Sequence, residues 1–389
     1  PDSGGSHSKA VLDFSGGTVE ALVDRLYLSR NRTNSVEATA QSTLTMVAGT
    51  FDVNHAIIGY QDQGNNQGTG RAFCQGTLNV HTTAVFRVNQ TLELGYTTAD
   101  AGHITTAEDG YGRIVMNGGG TLMASNITVG GVTKISRNND ITLTSGSQLI
   151  VTNGIGAPDA KLSLLSMNNS TLTLHVDGTR ATPYVYVTNL TTSGTETSIR
   201  LAEIKNLTSD PSTNALIAYD TASPTFSLKL PTGYYGYVLN NTVNKTIDAV
   251  ITTNPPSEVV WNGTVNGNWD TMTANWKSGL FRDGAPATFD DTAEGTTAVT
   301  VVGTVAPGPV LVTNNSKNYS FSGGTIAGTS LMTKEGSGTL TMDASSQLPL
   351  ALNGGTATGS GSLGTTTVAP GATLNFAGSI NGLISSGTV

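Results

Sequence analysis

The chain has 389 residues, of which 19 are Lys or Arg and 27 are Asp or Glu, for a formal net charge of −8, and 47 are Gly. Its scattered basic residues form no stripe that could follow a phosphate backbone, which argues against nucleic acid as a partner. A single cysteine, Cys74, excludes an internal disulfide, and no apolar run reaches the ~18 residues of a transmembrane helix.

Residues 1–40 read as a polar leader and a first coil. The chain opens on Pro1, as expected of a sequence that starts after a removed leader or at an edited boundary. Val19 to Leu28 mixes the periods of helix and strand, so a capping helix and a first strand both remain open for it.

From 41 to 182 one block recurs. Leu44 to Tyr60, Leu78 to Tyr96 and Ile114 to Gly130 share an alternation of apolar and small polar residues, and weaker copies start at Ile141 and Leu172. The starts are 34, 36, 27 and 31 residues apart, the spacing of one supersecondary unit with loops of varying length. Leu44, Met46, Phe51, Val53 and Ile57 follow the period of two that marks strands, while Gly, Asn and Ser fall at the corners between runs. One coil cannot bury its own apolar face, so the pattern predicts a β-solenoid of three short strands per coil. Stacking in phase sets Leu44 near Leu78 and Ile114, and it favours parallel ladders over a stack of antiparallel hairpins.

The surplus residues leave as loops, most clearly Gln61 to Arg71 and Thr97 to Gly112. The second holds the densest group of titratable side chains in the chain. Tyr96, Asp100, His103, Glu108, Asp109, Tyr111 and Arg113 are its candidate ligand or adhesion residues, for surface glycans. Glu108 and Asp109 also have the chemistry of an acid/base pair acting on sugars, against the plainer reading of a solvated loop. A catalytic parallel β-helix stacks its carboxylates and bases on adjacent coils of one face. No such stack is found, since His55 and His81 fall in different phases of the repeat.

Residues 183–254 have longer spacing and read as a β-rich capping segment that closes the open end of the array. Pro255-Pro256 marks the next boundary. Residues 255–389 open with Trp261, Trp269 and Trp276, read as a plug for the end of a core, with a platform for sugar rings as the other reading. Asp270, Asp283, Asp290 and Asp291 nearby are candidate Ca²⁺ ligands or, more simply, turn caps.

The stretch from Val260 to Met342 carries Trp261-Asn-Gly, Asn268-Trp-Asp, Phe289-Asp-Asp291, Tyr319-Ser-Phe-Ser-Gly-Gly324 and the run Leu331 to Met342. It resembles the autotransporter-associated (passenger-associated) β-strand repeats of secreted bacterial surface proteins. The resemblance implies an all-β, right-handed parallel β-helix, exported and used as a scaffold, with a second Gly-rich β-solenoid in 255–389. It carries over no catalytic residue, and no cofactor is expected apart from the Ca²⁺ reading above.

The expectation is therefore a non-enzymatic, extracellular or cell-surface structural protein that assembles end to end into a fibre, filament or sheath. Val11, Leu12 and Phe14 at one end and Leu374 and Phe376 at the other are the expected pairing residues of this homopolymer. The alternatives are an adhesin or carbohydrate-binding protein with the solenoid as spacer, and a polysaccharide lyase or hydrolase.

Overall fold

A computed structural model describes residues 7–31, 39–61, 73–97, 109–131, 138–194, 196–224 and 226–389. Among them the protein is all-β, so no helix is long and apolar enough to cross a membrane. The chain forms two compact units, one of Pro1–Pro231 with Val238–Val250 and one of Thr232–Tyr237 with Ile251–Val389.

The first unit begins with β1 (His7–Phe14), β2 (Val19–Asn31), β3 (Thr39–Met46), β4 (Gly49–Gln61), β5 (Phe73–His81), β6 (Val85–Thr97), β7 (Asp109–Asn117), β8 (Thr121–Val129) and β9 (Asp140–Thr144). Each strand pairs in parallel with the second strand after it, which gives two interleaved ladders, β1–β3–β5–β7–β9 and β2–β4–β6–β8. The ambiguous segment at Val19 is thus a strand, because its extended backbone pairs with β4 from Val19↔Gly49 to Asn31↔Gln61.

The predicted neighbours meet in register, Leu44↔Leu78 and Leu78↔Ile114. The column continues through Ile141, Leu165 and Leu190, all buried. Each such side chain contributes about 2 kcal/mol by leaving water. Leu172 does not belong to this column. It pairs with Leu149 and Ile199 in the other ladder, because shorter loops bring an apolar residue to the expected interval from the wrong strand. The second ladder has its own column, in which Phe51 stacks on Phe86 at 5.4 Å.

Coils of three short strands are not what the backbone shows. β4 and β6 each run 13 residues, and the second ladder instead shifts register partway, between Val53 and His55 and again between Val88 and Leu92. From β5 onward, the corner after each strand of the first ladder is set by one left-handed residue. Thr82, Gly118, Ser145, Asn169 and Gly194 occupy it in successive passes, with φ from 45° to 79°. The ladders also run past residue 182, since Val185–Ser193 pairs with Leu162–Asn168 and with Ser212–Ser223.

In the second unit, parallel pairing links Val259–Val260, Ala287–Asp290, Val310–Thr313, Met332–Glu335, Leu350–Leu352 and Ser362–Val368. Its core opens on an aromatic cluster. Trp261, Trp269, Trp276, Phe281, Phe289 and Phe321 are all buried, with ring centroids as close as 4.7 Å for Phe289 and Phe321. The three tryptophans therefore form core, and they offer no platform to a sugar.

Candidate surface pocket on the first ladder

Alternation along β7 buries Gly112, Ile114 and Met116 and turns Tyr111 and Arg113 outward. Parallel pairing then decides what stands beside them. Gln75 of β5 is the partner of Tyr111 on one side, and Asp140 of β9 is the partner of Arg113 on the other. The turn before β9 is fixed from below by Asn139, which is fully buried. Its Oδ1 accepts the Gly112 N–H at 2.7 Å, its own N–H donates to Ser163 Oγ at 3.2 Å, and its carbonyl accepts the Ser163 N–H at 2.9 Å. Asn138, held in the left-handed region at φ 56°, is thereby set beside Asp140.

The result is an open pocket of about 340 Å³ lined by Gln75, Tyr111, Arg113, Asn138 and Asp140. The Arg113 guanidinium lies 3.8 Å from the Asp140 carboxylate, with Arg113 52% exposed and Asp140 only 15%. Burial pushes the Asp140 carboxyl above its ordinary range, and the charge of Arg113 pulls it back. Both groups thus retain hydrogen-bonding capacity toward the pocket: Asp140 as a partly desolvated acceptor, Arg113 as an exposed donor.

The candidates named from the sequence divide. Tyr111 and Arg113 line the pocket, but on a strand rather than in a loop, because β7 begins at Asp109 and pairs along its whole length with β5. Asp109 is described only as the first residue of that strand. Asp100, His103 and Glu108 lie outside the described residues, as does most of the loop after Gln61. Tyr96 belongs elsewhere. It sits 5.2 Å from Tyr60, which is 5.9 Å from Tyr27, and the Arg30 guanidinium lies over both of the latter rings at about 5 Å. Gln75, Asn138 and Asp140 were not singled out in the sequence, although the intervals between repeats align Gln75 with Tyr111 and Arg113 with Asp140.

Of the four aspartates named as Ca²⁺ candidates, Asp270 and Asp290 cap their own turns, while Asp283 and Asp291 hold the backbone of the next pass. Asp270 accepts the Met272 and Thr273 N–H groups, and Asp290 accepts that of Thr292. Asp283 accepts the Ala306 N–H at 2.8 Å, and burial pushes its carboxyl up to about 6. Asp291 accepts the N–H groups of Asn315, Ser316 and Lys317, bonds that bring its carboxyl down to about 2. Among the described residues no three His, Cys, Asp or Glu side chains converge as metal ligands.

At the suspected pairing ends, Val11 and Leu12 are 61% and 45% exposed, and Phe14 is half-buried. Leu374 is buried instead, and its N–H donates to the Thr388 carbonyl at 2.8 Å. Phe376 packs against the core. Exposed apolar residues at that end include Leu383 and Ile384 on the strand Ser379–Ser385, and Val389 beyond it.

No protein family matches this chain, and no curated protein or solved structure matches it either.

Proposed function

We propose that the protein is a non-enzymatic structural protein of the cell exterior, built as a right-handed parallel β-helix and able to assemble end to end. The carrying observation is the parallel stacking of strand on strand, in register along β1, β3, β5 and β7 and over the first half of β4, β6 and β8. Residues repeat their position from pass to pass, so the columns Leu44, Leu78, Ile114 and Phe51, Phe86, Leu122 are continuous. Such a fold is quasi-one-dimensional and resists pulling through many parallel hydrogen bonds. The autotransporter-like run from Val260 to Met342 supports export and a scaffold role.

The outermost strands supply the joint. Among the described residues β1 pairs only with β3 and β2 only with β4. The strand Ser379–Ser385 pairs only with Ser362–Val368. An edge of this kind is a template for another chain. Electron microscopy of the full chain in negative stain tests the reading: filaments with a one-subunit axial repeat are expected, and single particles at every concentration would remove end-to-end assembly.

A second reading, a surface protein that binds carbohydrate while the β-structure serves as spacer, is favoured by one observation. The pocket at Gln75, Tyr111 and Asp140 has the size of a small-ligand site, and convergent polar groups line it.

A further inference from the structure

We propose that the pocket between β5, β7 and the turn before β9 binds a neutral sugar ring through two adjacent hydroxyls shared between Asp140 and Arg113. The inference rests on the carbohydrate-binding reading and supplies its site and ligand class.

The chemistry of the lining narrows the ligand by elimination. An anion would meet the Asp140 carboxylate, and a cation would meet the Arg113 guanidinium 3.8 Å away. A purely apolar molecule would strip water from both groups and leave them unpaired. A hydroxyl avoids all three penalties, because it donates and accepts at once. Placed between the two side chains, one hydroxyl gives its proton to Asp140 and takes an N–H from Arg113. Among the described residues the Asp140 carboxylate accepts no hydrogen bond, so its second oxygen is open to the neighbouring hydroxyl. Amide groups of Gln75 and Asn138 supply both donors and acceptors for the rest of the ring, and Tyr111 supplies an aromatic surface.

The site is also preorganised. Gln75, Tyr111 and Arg113 stand on paired strands, and Asn138 and Asp140 flank the fully buried Asn139, whose hydrogen bonds reach both Gly112 and Ser163. Little backbone freedom is left to lose on binding.

The test uses the full chain on a printed array of neutral and carboxylated glycans, followed by calorimetric titration with the methyl glycoside of the best monosaccharide and with its deoxy analogues. Binding to neutral hexose glycans is expected. Asp140→Asn and Tyr111→Ala should each weaken it at least tenfold, and a deoxy analogue lacking one of the two hydroxyls should lose a similar factor. Gln41→Ala is the control. Gln41 is exposed in the same outward column, one strand beyond Gln75, and lies outside the pocket, so its variant should bind as the parent does. Circular dichroism confirms that each variant keeps its β-structure. Glycan binding that survives Asp140→Asn and Tyr111→Ala would overturn this site while leaving the carbohydrate-binding reading standing. Binding confined to carboxylated glycans would overturn the neutral-diol assignment. A blank array would overturn both site and reading.

Discussion

Lys334 shows how a single residue can break the pattern of a column without breaking the column. Its backbone pairs with Val312 on one side and Leu352 on the other, so its side chain points inward where apolar residues otherwise sit. It is fully buried, and its Nζ donates to the carbonyls of Glu335, Gly336 and Gly354 at 2.7, 3.0 and 3.4 Å. Three acceptors match the three N–H donors of an ammonium and offset part of its desolvation. Burial still pushes the Lys334 ammonium down to about 8, with Asp291 pulling the other way. The unfolded chain therefore holds the proton more tightly than the folded one between about pH 8 and 10.5, so folding becomes more favourable as pH rises through that window. Measured by urea unfolding against Lys334→Met, the parent should gain about 2 kcal/mol between pH 8 and pH 10. Equal slopes for the two proteins would show that the amine is solvated in the folded state.

At the scale of elements, backbones approach closely where the first half of strands in one ladder faces the last half of strands in the other. A Cβ placed on Gly76 would lie 2.3 Å from the Leu28 carbonyl oxygen and 2.6 Å from the Gly59 nitrogen. One on Gly112 would lie 2.7 Å from the Ile58 oxygen and 2.9 Å from Leu94 Cα. The obstacles are backbone, which cannot turn aside as a side chain can. Gly76→Ala should therefore cost about 2–3 kcal/mol of stability and lower the melting temperature. Gly16→Ala, where nothing lies within 4 Å, should change it little. Thermal melts of the two variants decide, and equal midpoints would mean that the ladders move apart freely.

Much at this scale was legible in the sequence. The column of Leu44, Leu78 and Ile114 follows from a period of two repeated at matching intervals, because parallel pairing needs nothing else to set its register. Two features were not legible. The assignment of Leu172 failed because intervals set by irregular loops do not say which ladder an apolar residue joins. The pocket was half seen: Tyr111 and Arg113 drew attention by their charge and ring, while Gln75 and Asp140 are ordinary polar residues of neighbouring repeats. Only the register makes them neighbours, through Gln75↔Tyr111 and Arg113↔Asp140.

At the scale of the whole molecule, stacking within each unit leaves the first strands of its ladders paired on one edge: among the described residues β1 pairs with β3 and β2 with β4, and the strand Ser379–Ser385 of the second unit likewise pairs only with Ser362–Val368. The apolar column that is fully buried at Leu44 ends at Leu12, which is 45% exposed, and on the outward side Leu22 is 90% exposed. In the second unit Ile384 is 62% exposed on a strand paired along one edge. Strand edges of soluble proteins are protected by charges, lysine above all, because a lysine cannot be carried into a dry joint without losing its hydration. Val11 and Leu22 face outward and contribute nothing to the core, so Val11→Lys with Leu22→Lys should leave the fold and its melting temperature essentially unchanged. If β1 and β2 form the joint between subunits, the parent should show a sedimentation coefficient that rises with concentration, and the double variant one that stays constant. A parent that sediments as a monomer throughout would show that these edges join nothing. A variant that assembles as readily as the parent would move the joint to the strand Ser379–Ser385 alone, where Ile384→Lys becomes the decisive substitution.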